Sequence, residues 1–220
     1  MNRQQTVLQQ PRPPAEEGTE WVRRFGATER FAHWWTVLMV TTALLTGLAL
    51  GDDAESGGPL LTAHWGSVAL IGVGLVAALV VGDTRALLRA TWRLFSFDRR
   101  DASWIRDHLR PSSDRSRHGD YGMFNPGQKA LAWALTAAVT MVIYTGIQAL
   151  SANGEDAAGP HLTAVVVAMV LIGAHLFMAL VNPSTNPALR GMLLGRVRRS
   201  WAAKHHGGWL KDLQRSRRDD

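Results

Sequence analysis

Four histidines, His33, His64, His161 and His175, stand inside apolar runs that contain no Asp, Glu, Lys or Arg. A neutral imidazole is a metal ligand, and a strongly polar side chain in such a run is costly enough to mark a functional candidate. His161 and His175 are fourteen residues apart. On a helix, fourteen steps of ~100° return to within about 40° of the start, so both face one side, ~21 Å apart along the axis. His64 opens one run at the depth where His161 opens another, whereas His33 shares the opposite half with His175. Two imidazoles from different helices at one depth form the ligand set of a bis-histidine haem iron. Two sets stacked on one helix make a short transmembrane electron wire. Four unrelated core histidines are the competing reading, which the pairing by depth disfavours. Zinc or non-haem iron has less to bind, because no carboxylate or Cys lies at these depths.

The elements that must position these histidines are the runs themselves, about 31–50, 61–82, 130–150 and 161–181. Each is about 20 residues long, enough to cross a hydrocarbon core of ~30 Å at ~1.5 Å per residue. A mean hydropathy near zero over the 220 residues hides this segregation. The expected fold is therefore all-α, a four-transmembrane-helix bundle binding two b haems. The chain has no Cys, which excludes disulfides, Cys-ligated zinc, iron–sulfur clusters and covalently attached c-type haem.

Charge sets the orientation. The 24 Lys and Arg exceed the 18 Asp and Glu, yet the connections 51–60 and 151–160 contain acidic residues and no basic one. All cations lie in the N-terminal segment, the middle connection or the C-terminal segment, so the positive-inside rule places both termini and the middle connection in the cytoplasm. The surplus of +6 is thus a topological signal, not a nucleic-acid one. Trp34, Trp35 and Trp133 mark the inner interface and Trp65 the outer one. Residues 1–22 read as a disordered cytoplasmic tail, 23–199 as the membrane domain and 200–220 as a cytoplasmic C-terminal tail. In the middle connection, Arg85, Arg89 and Arg93 recur opposite Leu88, Trp92 and Phe95, a basic amphipathic continuation of the second helix that suits anionic lipid. Thr46-Gly47 and the 58–62 stretch are echoed by Thr145-Gly146 and 159–163, through an old duplication or simply two small-residue turns. Gly47, Gly66, Gly72, Gly74, Gly146 and Gly173 suit either a flat macrocycle or helix–helix packing. His108, His118, His205 and His206 read as surface residues.

Several motifs together resemble the gamma subunit of respiratory formate dehydrogenase, a di-haem cytochrome b. They are Arg30-Phe31-Ala32-His33-Trp34, Thr46-Gly47, His64, Asn125-Pro126-Gly127-Gln128-Lys129, His161 with His175, and Trp201 to Trp209 with its His205-His206 pair. The similarity covers about residues 23 to 213. It implies that His33 and His175 ligate an inner haem, that His64 and His161 ligate an outer one, and that Asn125, Gly127 and Gln128 bind a quinone (menaquinone or ubiquinone) beside the inner haem. An amide donor and a glycine are what a quinone carbonyl and ring need; without the resemblance, Asn125-Pro126-Gly127 would read as the turn that starts the third span.

By the same resemblance, the chain is a multi-pass bacterial plasma-membrane subunit that does not itself oxidise the fuel. An iron–sulfur subunit, fed by a molybdenum or tungsten catalytic subunit, would deliver electrons to the outer haem. Arg24, Arg30 or Lys129 could pair with the inner haem's propionates. The outer haem's would meet backbone, Ser151, Asn153, water or a partner. Alternatives are the cytochrome b of a hydrogenase or thiosulfate reductase, a stand-alone quinone-linked cytochrome, and, from another class, a transporter or cofactor-free anchor.

Overall fold

The computed structural model describes residues 20–50, 58–99, 101–102, 121–151 and 158–219. Most of the expected N-terminal tail, the two acidic connections, Asn153, His108 and His118 lie outside the described residues.

Four long helices dominate: α1 (Ala27–Leu50), α2 (Pro59–Val81), α4 (Pro126–Ser151) and α5 (Ala158–Leu176), the last continued by a π-helical turn at Phe177–Val181. All four are long and apolar enough to cross a membrane. In hydrocarbon each backbone polar group must be satisfied within the helix. Thr36, Thr42, Thr140 and Thr145 follow the same rule, donating their hydroxyls to the carbonyls of Ala32, Leu38, Thr136 and Met141 at 2.8–2.9 Å. The helices α1 and α4 begin four residues before the apolar runs because their first turns are polar and capped. Gly26 N–H donates to Glu29 Oε2 at 3.0 Å. Asn125 and Gln128 form a reciprocal capping box, with Asn125 N–H to Gln128 Oε1 at 3.0 Å and Gln128 N–H to Asn125 Oδ1 at 2.8 Å.

The spans form two hairpins. α1 packs closely on α2, and α4 on α5, whereas the backbones of the two hairpins scarcely approach one another. Among the glycines of the first hairpin the closest approach is at Gly74, where an added Cβ would lie 2.0 Å from Trp35 Cδ1. Trp35 Nε1 donates there to the Leu70 carbonyl at 2.7 Å. The basic helix α3 (Thr84–Phe95) is separate from α2, not a continuation of it. The chain breaks at Gly82, and Asp83 caps the new helix by accepting from Ala86 N–H at 2.9 Å.

At the end of the bundle that carries the basic residues, the chain builds a small capping layer. Strand β1 (Trp21–Arg23), which takes in the last residues expected in the tail, pairs antiparallel with β2 (Arg196–Arg198), Val22 opposite Val197. Between α5 and β2 lie a 3₁₀ turn (Asn186–Ala188) and α6 (Leu189–Leu194). α6 ends at Gly195, whose φ of 75° needs glycine. The C-terminal segment is helical, as α7 (Arg199–His205) and α8 (Gly207–Asp219). It closes over a core of Val22, Phe25, Met123, Phe124, Val197, Ala202, Trp209 and Leu210. This core sits directly against the Asn125 cap of α4.

Candidate functional site

The four span histidines come together as two pairs across the space between the hairpins. His33 of α1 and His175 of α5 have ring centres 6.2 Å apart, and His64 of α2 and His161 of α5 are 6.3 Å apart. Two imidazoles ligating one ion from opposite sides, through bonds of about 2 Å, put their ring centres roughly 6 Å apart. The ring planes cross at 61° and 88°, and rotation about a common axis allows either.

The pair nearer the acidic connections has its tautomer set. His64 Nδ1 lies 2.9 Å from the Ala43 carbonyl, and His161 Nδ1 lies 3.1 Å from the Val142 carbonyl. A carbonyl oxygen only accepts, so each Nδ1 carries the proton and each Nε2 keeps its lone pair for a ligand. Thr46 and Thr145 stand beside them, at 3.4 and 3.3 Å from the same Nδ1 atoms. Gly47 and Gly146 make room, since an added Cβ would lie 3.1 and 3.2 Å from the imidazole Cε1. Among the described residues no group of three or more His, Cys, Asp or Glu could hold a metal ion. Each pair offers only two nitrogens, so the rest of a coordination shell must come with the cofactor, as porphyrin nitrogens do. The residues fit b haem and not a protein-only metal site.

The echo between Thr46-Gly47 and Thr145-Gly146 is therefore part of a larger internal repeat, not a pair of turns. At the same offset, Phe25, Gly26, Glu29, Arg30 and Trp34 correspond to Phe124, Asn125, Gln128, Lys129 and Trp133. The contacts repeat as well as the residues. Trp34 Nε1 donates to the Met192 carbonyl at 3.0 Å, and Trp133 Nε1 to the Phe95 carbonyl at 3.1 Å. His64 and His161 take equivalent places against the two Thr-Gly pairs although their offset is 97 and not 99. At 97 the mate of His175 is Ala78, and at 99 the mate of His33 is Ala132. The glycines divide in the same way. Gly47, Gly74 and Gly146 make room for rings of the protein itself, whereas added Cβ atoms at Gly66, Gly72 and Gly173 would meet nothing within 4 Å.

The capping layer holds the features least visible in the sequence. His206, expected at the surface, is 1% exposed. Its Nδ1–H donates to the Gly122 carbonyl at 2.8 Å, while Trp209 N–H donates to the Tyr121 carbonyl at 3.0 Å. Together they clamp the segment leading into Asn125. Arg24 is buried, donates to the Met123 carbonyl at 2.7 Å and lies against the rings of Phe25, Phe124, Trp201 and Trp209. Burial lowers its pKa to about 10, so it stays cationic at neutral pH. Lys129 is neutralised by Asp101 at 2.6 Å, with both side chains buried.

Burial, reinforced by the nearby Arg24 charge, pushes His206 down to about 3. Its ordinary value is near 6.5, so between about pH 6.5 and 3 an unfolded tail takes up a proton that the folded tail refuses. Stability of the clamp is present above that window and falls as pH drops into it, with a slope approaching one bound proton. Amide exchange of residues 199–213, corrected for intrinsic rates, should therefore accelerate from pH 7 to pH 5. In His206→Gln, whose amide can still donate to Gly122, that pH dependence should flatten.

The sequence profile of the prokaryotic cytochrome b561 family matches residues 24–195. The chain belongs to that family. The matched stretch takes in both hairpins and all four span histidines, and membership in the cytochrome b561 family implies b haem. The chain is also similar to the nitrate-inducible formate dehydrogenase cytochrome b556(Fdn) subunit of Escherichia coli K12, at 22% identity over 129 residues. That match covers 54% of this chain and 58% of the relative. Its similarity to the formate dehydrogenase cytochrome b556(fdo) subunit of the same strain is 25% over 134 residues, 57% of this chain and 62% of that one. The match thus spans less than two thirds of either relative's own length. The cytochrome b561 assignment rests on the larger share of the chain.

Proposed function

We propose that the chain is the di-haem cytochrome b subunit of a formate dehydrogenase-type complex in a bacterial plasma membrane, carrying electrons from an iron–sulfur partner at the outer face to quinone at the cytoplasmic face. The observation that carries this reading is the pair of imidazole gaps, 6.2 and 6.3 Å, at two depths between the hairpins. The names of the two Escherichia coli relatives and the cytochrome b561 membership support it.

His33 and His175 hold the inner haem and His64 and His161 the outer one; when bound, these haems supply one-electron carriers at two depths. Ala43 and Val142 keep the outer ligands in the Nδ1–H tautomer. The Asn125–Gln128 capping box gives a positive reason for a quinone at that end. Both side-chain carbonyl oxygens are taken by backbone N–H groups, which turns both amide NH₂ groups away from the helix as donors. Gly127 is exposed beside them and lets a flat ring approach. Quinone reduced there draws its protons from the cytoplasm. If the molybdenum or tungsten partner oxidises formate outside, the separation of charge follows from placement alone. The concentration of Lys and Arg at the terminal end supports this orientation.

The test is a haem-to-protein ratio with a potentiometric titration on the purified chain. A ratio of two with two b-type midpoints is expected, together with a co-purifying iron–sulfur subunit and reduction of both haems by formate. A chain without a b-type Soret band overturns the reading.

A further inference from the structure

The internal repeat makes Arg30 and Lys129 mates, each in the first turn of its helix. Their environments differ. Lys129 has the buried carboxylate of Asp101 at 2.6 Å. Arg30 has no carboxylate partner among the described residues, and its Nε is shielded from solvent without a hydrogen-bond acceptor. An arginine partly buried without an anion is incomplete, because its planar donors are costly to desolvate unpaired.

The position of Arg30 indicates which anion completes it. It precedes His33 by three residues on α1, one turn towards the basic end and about 60° around the helix. The side chain reaches towards the base of the second hairpin, since a Cβ added at Gly195, just beyond α6, would lie 3.1 Å from Arg30 Nη1. Arg30 is thus placed on α1 one turn from His33, on the terminal side of the His33–His175 pair. The other two cations expected to meet these propionates, Lys129 and Arg24, have surroundings of their own. Asp101 neutralises Lys129; Arg24, whose Nε and Nη1 also lack acceptors, is enclosed by four aromatic rings in the capping core and donates to the Met123 carbonyl.

We propose that Arg30 binds a propionate of the haem held by His33 and His175. This rests on the two-haem reading above and adds the residue that anchors the inner cofactor by charge. A guanidinium–carboxylate pair fixes which way the macrocycle's polar edge faces. A fixed cation near the iron also favours the reduced state, which carries one positive charge fewer than the oxidised state.

The experiment is an equilibrium redox titration of the purified full complex carrying Arg30→Gln, Arg30→Lys or, as a control for general loss of charge, the exposed Arg89→Gln. The midpoint belonging to the His33–His175 haem is the one missing from His175→Ala. In Arg30→Gln that midpoint should shift downwards while the other stays in place, with two haems retained. Arg30→Lys should restore most of the shift, and Arg89→Gln should move neither. Loss of the inner haem in Arg30→Gln with its retention in Arg30→Lys equally supports a charge anchor. Unchanged midpoints with two haems, an equal shift of both midpoints, or loss of haem in both Arg30 variants would overturn the proposal. A wild-type complex that binds no haem would instead sink the reading on which it rests.

Discussion

Replacing His175 with alanine should leave one b haem per chain in place of two and reduce formate-dependent quinone reduction to background. His175 and His33 are the only imidazoles that face one another near the basic end among the described residues, 6.2 Å apart. Alanine removes one of the two nitrogens of this pair, and the chain has no Cys to replace it. The other pair should survive, because His161 is fourteen residues away along α5, about 21 Å at 1.5 Å per residue. His64 and His161 also keep backbone anchors at Ala43 and Val142 that are independent of His175. The reciprocal variant, His161→Ala, should lose the other haem and keep the inner one. Pyridine haemochrome quantitation against protein concentration checks both. The assignment of pairs fails if His175→Ala retains two haems, or if the two variants lose the same midpoint.

The two pairs were legible from spacing because a helix converts fourteen residues into a shared face and a known depth. The same arithmetic explains the four spans, whose apolar runs need no tertiary information. What one-dimensional reading missed depends on contacts between distant segments. Phe25-Gly26 and Phe124-Asn125 look unrelated until the two caps, Gly26 to Glu29 and Asn125 to Gln128, are seen to perform the same task. Their kinship could have been found by aligning the chain with itself, since Trp34 with Trp133 and Arg30 with Lys129 fall at the same offset. His206 could not have been found in that way. Its burial depends on strand β1, the 121–124 segment and α8 meeting around it, three segments from three parts of the chain. Asn125 illustrates the mixed case. The expected turn and the expected quinone donor use opposite ends of one amide, so the cap observed at its oxygen is compatible with a donor role for its nitrogen.

Breaking the buried Asp101–Lys129 pair from one side should destabilise the chain far more than removing both partners together. The pair is 2.6 Å long, and its residues are 3% and 5% exposed, so solvent screens it little. Asp101 Oδ2 also accepts from Asp98 N–H at 2.7 Å, and Asp98 Oδ1 accepts from Asp101 N–H at 3.1 Å, which fixes the carboxylate before Lys129 reaches it. In Lys129→Met that carboxylate is left buried with a backbone amide as company. In Asp101→Leu the ammonium is left facing the Phe97 ring, 5.8 Å from its centre. An uncompensated buried charge costs about 3–5 kcal/mol, whereas replacing a buried pair with apolar groups of similar volume is often neutral or stabilising. Each single variant should therefore lower the thermal midpoint of the purified protein, while Asp101→Leu/Lys129→Met should recover most of the loss. The damage in the single variants should also be directional. Lys129 follows Gln128 in the first turn of α4, so loosening that turn frees the capping box and its amide donors. KM for quinone should rise in the single variants and return towards the wild-type value in the double variant, with both haems retained throughout. A double variant as unstable as the single ones would show that Lys129 and Asp101 contribute through separate packing contacts and not through their mutual charge.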